Sequence, residues 1–229
     1  MRKKEFIIVL ILAVIFSSSW AKERESIPTL SLGLDVPLGI FSAGTALTGL
    51  YFIKNTDIPK SLKDKSSLLP WDKPFAGVHS STADVFSDIL NGGILIFPIA
   101  FAGVALQKDE MVAGEFWSVL AMYSEALALQ SGLNLLTRSF QLWPRPYLYN
   151  AEKRKEAKGE AYGSFYSGHV SASFTSAVFS SYLFYKLFPN SSVKYWGSAV
   201  SFGVSSIIMN LGECIQADII ASFCFIPCE

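Results

Sequence analysis

Arg138-Ser-Phe-Gln-Leu-Trp-Pro-Arg145-Pro146, followed after a polar loop by Tyr166-Ser167-Gly168-His169, is the stretch that decides what kind of chain this is. Two guanidinium groups, a hydroxyl, a glycine and one of the chain's two histidines lie within one loop, flanked by apolar segments. Such parts hold a phosphate and move a proton. Arginine presents a planar fork of donors matched to phosphate oxygens and keeps its charge at any physiological pH. A serine and a glycine N–H at a helix start add neutral donors, and the helix dipole favours an anion there. Histidine titrates nearest neutrality, which suits general acid or base work.

The surrounding chain has the composition of a membrane protein. Of 229 residues, 51% are hydrophobic and only 17% charged, with a mean hydropathy of +0.36. So few charges would scarcely cover a water-facing surface. Net charge is zero, which gives no argument for a nucleic-acid partner. The three cysteines, Cys214, Cys224 and Cys228, crowd the end of the chain without a nearby histidine, which makes neither a disulfide framework nor a zinc site. At the start, Arg2, Lys3 and Lys4 precede an apolar run from Phe6 to Phe16 and small residues at Ser19 and Ala21. That pattern predicts a signal peptide over residues 1–21.

Apolar segments then alternate with polar connectors, which predicts an all-α integral-membrane bundle of about six helices. Leu38 to Ile53, rich in Gly, Ala and Thr, is the first span, and 22–77 forms a unit of that span and a lysine- and proline-rich connector. Residues 78–229 form the main helical domain. Within it, Ser80 to Leu90 reads as a short interfacial helix with Asp84 and Asp88 on its polar side, and Gly92 to Leu106 as a separate span containing Pro98. Glu110 to Phe140 reads as one long helix with Glu115 and Glu125 inside it; such carboxylates face the bundle interior or a polar cavity. Pro144 and Pro146 stop its continuation. Further helices are expected from about Ser167 to Phe188 and from Val193 to Met209, with Leu211 to Glu229 as a short, truncated last piece. His79 reads as an interfacial or solvated histidine, Trp71 and Trp143 as interface anchors, and Lys153 to Lys158 as a solvated loop or lipid-headgroup contact.

The spacing Arg138, six residues, Arg145-Pro146, then Ser167-Gly168-His169 at the next helix start, resembles two signature motifs of the type 2 phosphatidic acid phosphatase (PAP2) and vanadium haloperoxidase superfamily. The likeness covers roughly residues 80 to 220. In that family the first motif is a Lys, six residues and Arg-Pro; the second is Pro-Ser-Gly-His. Arg138 keeps the charge of the lysine, and Tyr166 stands where the proline would be. The resemblance implies a six-helix bundle with a phosphate pocket at one membrane face and a phosphorylated lipid as substrate. Arg138 and Arg145 would clamp phosphate oxygens, Ser167 and the Gly168 N–H would add hydrogen bonds, and His169 would protonate the leaving oxygen. Side chains supply the cations, so no metal or other cofactor is implied.

The third motif departs from the pattern. The family has an Arg, five residues, a His that attacks phosphorus, three residues and an Asp that orients it. Aligning through Asp218 puts Ile208 at the arginine and Cys214 at the histidine. A thiolate can attack phosphorus only if nearby cations lower its pKa, and Glu213 and Asp218 act the other way. Cys214 is therefore either an altered nucleophile or a small apolar residue in a helix. Two functions follow: a membrane phosphatase for a lipid phosphate or prenyl diphosphate, impaired by loss of the histidine, or a non-catalytic phosphate- or lipid-binding protein on the same scaffold. Vanadate-dependent halide oxidation ranks last, since it usually belongs to larger soluble proteins. The setting is a bacterial-type cell membrane. The basic connectors put Arg138 on the cytoplasmic side, whereas bacterial relatives usually face the periplasm, so the side of the site stays open.

Overall fold

The computed structural model describes residues 26–55, 62, 64–67, 76–77, 81–140, 144–156, 159–163 and 166–214. The expected signal peptide, Trp71, His79, Trp143, Lys158 and Asp218 lie outside the described residues. Those described form helices and turns only: α1 (Leu32–Asn55), α2 (Ser81–Gln107), α3 (Ala113–Ser139), the short α4 (Ala151–Glu156), α5 (Gly168–Leu187) and α6 (Val193–Cys214). The five long helices run up and down in turn. Gly49 abuts Leu135 and Gly132 abuts Ser42, so α1 runs parallel to α3. Short links at 108–112 and 188–192 close one end of the bundle. The other end gathers the end of α1, the start of α2, the end of α3, the start of α5 and the end of α6.

Two of these helices, Gly33–Asn55 and Val85–Gln107, are long and apolar enough to cross a membrane. Polarity is distributed accordingly. Leu34, Ile40, Leu47, Ile96 and Trp196 project outward and are mostly exposed, while Ser173, Ser176, Ser180, Ser201 and Ser205 are buried between helices. The buried hydroxyls bond mainly to their own helix, as Ser180 Oγ does to Ser176 O at 2.7 Å. Ser205 Oγ also reaches across to Ser173 O at 2.9 Å and joins α6 to α5. Hydroxyls satisfied in this way let helices pack without a stranded polar atom.

The aromatic core sits at the closed end. Phe101 of α2, Val119 of α3, and Leu183, Phe184 and Phe188 around the end of α5 are buried together. The Phe101 and Phe184 rings lie 4.7 Å apart. The opposite end is covered by the two connectors. Leu62 and Tyr147 pack on Leu148, Ala161 and Tyr162, and Lys65 lies over the Tyr149 ring. The phenol of Tyr149 is pushed above its ordinary pKa by burial and by nearby Asp64, so it stays neutral.

Three expected boundaries are corrected. The interfacial helix at Ser80–Leu90 and the span at Gly92–Leu106 are one continuous helix, on which Asp88 reaches His169 of α5. The third helix starts at Ala113, after a turn in which Asp109 takes φ 59°. Glu115 is thus an N-terminal cap, not an interior carboxylate: its Oε2 accepts from Val112 N at 3.1 Å and its Oε1 from Ile27 N at 3.3 Å. The last described helix runs past Met209 to Cys214, taking in the start of the piece expected to be separate.

The contact of α1 with α3 depends on a missing side chain. A Cβ on Gly132 would lie 2.8 Å from the Ser42 carbonyl oxygen and collide with the Thr45 hydroxyl, whereas one on Gly44 of α1 would meet nothing. Gly132→Val is expected to cost about 1–3 kcal/mol by overpacking. Thermal unfolding in detergent should show a lower midpoint for Gly132→Val and an unchanged one for Gly44→Ala.

Candidate functional site

The site is assembled on a ridge of α3. Gln130, Asn134 and Arg138 follow one another at intervals of four, so they share one side of the helix. Each reaches the chain leading into α5. Gln130 Nε2 donates to Ser171 Oγ. Asn134, which is buried, donates from Nδ2 to the Tyr166 carbonyl at 2.6 Å. Arg138 donates from Nε to the Gly163 carbonyl at 2.9 Å. Gly163 is obligatory there, because a Cβ would run into the Arg138 carbonyl. Tyr166 adds a fourth tie, its hydroxyl donating to Gln130 O at 3.3 Å. Burial raises the pKa of this phenol, so it stays protonated and able to donate.

These ties fix the start of α5. Ser167 is its N-cap, with Oγ accepting from Val170 N at 3.4 Å, and the hydroxyl proton is left to donate elsewhere. Gly168 opens the helix. A Cβ there would press to 3.2 Å on Asn134 Oδ1, and Asn134 is already held by Tyr166. Ser171 Oγ donates back to Ser167 O at 2.9 Å. The first backbone N–H groups of α5 point out of the helix end and carry the positive end of its dipole.

His169 projects from this first turn, and its Nε2 lies 3.2 Å from Asp88 Oδ1 on α2. Their side chains are 51% and 59% exposed, so the pair adds little stability and serves chiefly to fix the ring's orientation. One turn along α2, the Asn91 Oδ1 atom is buried without a hydrogen-bond partner. Arg145 caps a 3-10 turn, Pro146–Tyr149, and its N–H bonds Ala161 O at 2.8 Å. Both arginines are thus pinned to the connector that ends at His169, Arg138 by its side chain and Arg145 by its backbone.

The third-motif positions stand differently. Ile208 is fully buried, about one turn beyond Ser205, which bonds Ser173. With α5 and α6 antiparallel, that turn, ~5 Å of rise, brings Ile208 level with the start of α5. Cys214 is the last residue of α6.

Sequence reasoning passed over Gln130 and Asn134 and assigned Asp88 to a polar surface. The spacing of four along an apolar helix, ending on Arg138, was the available signal for the first two.

The fold is a helical bundle of membrane type, with Arg138, Ser167, Gly168 and His169 gathered toward one end. The PAP2 superfamily model matches residues 118–225, a segment that spans both motifs and continues through Ile208, Cys214 and Asp218, and this match supports membership of the PAP2 superfamily, a family of phosphatase type. No curated protein and no solved structure matches the chain.

If the Asn134 contact holds the entrance to α5, Asn134→Ala leaves the Tyr166 carbonyl without its donor, a loss of about 1–3 kcal/mol. Hydrogen exchange should quicken in peptides covering Tyr166 to Val170 while peptides from the Phe101–Phe184 core keep their protection.

Proposed function

We propose that the chain is an integral-membrane phosphatase of a bacterial-type cell membrane, releasing phosphate from a lipid phosphate or prenyl diphosphate. The observation that supports this reading is the start of α5: Ser167, Gly168 and the Asp88-paired His169 sit at a helix N-terminus held beside Asn134 of α3, one turn before Arg138, which bonds the connector at Gly163. In this reading Arg138 and Arg145 bind the phosphate oxygens, and Ser167 Oγ–H and the Gly168 N–H complete the cradle. Attack at phosphorus by water, or by the Cys214 thiolate with water then releasing the bound phosphate, forms the new bond as the bond to the lipid oxygen breaks, and His169 passes a proton to that oxygen as it leaves. Asp88 acts as a positioning residue that aims the imidazole. Asp218 and Cys214 occupy the third-motif positions from which the attacking group would come.

The second reading, a non-catalytic phosphate- or lipid-binding protein, is favoured by one observation. Ile208 fills, fully buried, the position where the family carries its third cation. A side chain so packed contributes no charge to the pocket.

Phosphate release from phosphatidate and from undecaprenyl diphosphate by the full chain in detergent or vesicles decides between the two. Release that falls at least about 100-fold in His169→Ala supports the enzyme. An inactive native chain that gains release in Cys214→His, alone or with Ile208→Arg, identifies a scaffold lacking its nucleophile. Release that is unchanged in both His169→Ala and Arg138→Ala would remove this site from the chemistry.

A further inference from the structure

Between α3 and α5, beginning beside the candidate phosphate site, lies a cavity of about 790 Å³. Met122 and Ala126 of α3 form one wall, and Phe174, Val178, Phe179 and Tyr182 of α5 form the other. Ser171 and Thr175 also line it, but their hydroxyls are occupied by their own helix: Ser171 Oγ donates to Ser167 O and Thr175 Oγ1 to Ser171 O, both at 2.9 Å. The lining that remains is hydrocarbon and aromatic ring. Phe179 in this lining is backed by the buried Tyr123, whose ring packs 4.9 Å from it and whose OH is bonded to Leu95 O at 2.9 Å. Val178 is 58% exposed, so the cavity opens sideways, away from the bundle axis.

The wall and the site share one ridge. Met122, Ala126, Gln130, Asn134 and Arg138 are spaced by four along α3, and the ridge changes from apolar to polar at Gln130. Gln130 bonds Ser171, which itself lines the cavity and is bonded to Ser167. From Ser171 to Tyr182 is eleven residues, or ~16 Å of helix. That is about half the ~30 Å hydrocarbon thickness of a bilayer, the depth of one leaflet. Volume, lining and length all suit a single hydrocarbon chain.

We propose that this α3–α5 groove seats the hydrocarbon chain of a phosphomonoester lipid whose headgroup lies at Ser167–His169. The inference rests on the reading of that helix start as the phosphate site. It goes further by naming where the chain lies and by making entry lateral, from the leaflet. The groove supplies the apolar half of recognition, and the positive helix end and the arginines supply the half that separates a phosphate lipid from a zwitterionic one.

The test measures binding, not turnover. The full chain is reconstituted in phosphatidylcholine vesicles with a trace of phosphatidate bearing a diazirine in one acyl chain, irradiated, and mapped by peptide mass spectrometry. Labelling is expected at Met122–Ala126 and Phe174–Tyr182, displaced by excess unlabelled phosphatidate and not by phosphatidylcholine. It should fall about tenfold or more in Ala126→Trp, which fills the groove, and stay unchanged in Ile96→Trp, an outward position on α2. Equal labelling of the groove by a diazirine phosphatidylcholine would overturn the proposal in favour of bulk lipid. So would labels spread over outward faces such as Leu34, Leu47 and Trp196, or an equal loss in Ile96→Trp. Should Ala126→Trp fail to fold, the competition on the native chain still decides. Groove labelling without phosphate release would leave the groove standing and remove the enzyme; release with labels elsewhere would do the reverse.

Discussion

The structure turns on three hydrogen bonds from one ridge of α3. Gln130, Asn134 and Arg138 each donate to the chain that leads into α5, to Ser171, Tyr166 and Gly163 in turn. The aromatic core around Phe101 and Phe184 lies at the other end of the bundle, so these bonds are what hold the start of α5 to α3. Asn134 is buried and the other two are half-buried, and such donors cost free energy when unpaired. The register of the connector against α3 is therefore set by the need to satisfy them. Gly163 and Gly168 are glycines for the same reason, since a side chain at either would push the connector away from the ridge.

A division of labour along the helices follows from this placement. The closed end carries rings and aliphatic groups that hold α2, α3 and α5 together, and the open end carries nearly all the chemistry. Polar side chains between the two ends are mostly serines whose hydroxyls bond within their own helix, and Ser205 and Tyr123 add bonds across to neighbouring helices. Glycine does the same for α1, where Gly49 and Gly132 bring that helix onto α3. Helix association through small residues, with large apolar side chains turned outward, is how a bundle is held where lipid offers no hydrophobic drive.

Much of this was legible in the sequence, and the misses share a cause. The two arginines, Ser167, Gly168 and His169 could be read because they are adjacent in the chain and chemically distinctive. Helices α3 and α5 were placed to within a few residues, since long apolar runs bounded by Pro146 and Pro189 leave little choice. Asp88 was misassigned because a polar residue at the start of an apolar run looks the same whether it faces a membrane surface or a histidine on another helix. Only the packing of α2 on α5 separates the cases, and that is a long-range property. The join between Ser80–Leu90 and Gly92–Leu106 was missed for a related reason: Asn91, Gly92 and Gly93 look like a break, but inside a bundle glycine's helix cost of ~1 kcal/mol is overridden by the neighbours. Glu115 was misplaced because helix caps depend on where the turn falls, and Asp109 moves that turn by its left-handed backbone.

The third motif shows how far a site can change while its scaffold persists. The ridge of α3 and the start of α5 are tied by hydrogen bonds, while α6 meets α5 along its length, through Gly197 against Phe184, the Phe174 and Phe202 rings, and Ser205 with Ser173. An arginine at position 208 would have to be charged and would need partners in a place that is fully buried. Isoleucine there removes that need and leaves the remaining bonds intact. On the proposed reading the phosphate would then meet two arginines instead of three, while the bond of Arg138 to Gly163 and the contact of His169 with Asp88 do not involve α6. On that reading binding and chemistry are separable: the start of α5 and the α3 ridge would hold the phosphate, and the attacking group would come from the end of α6.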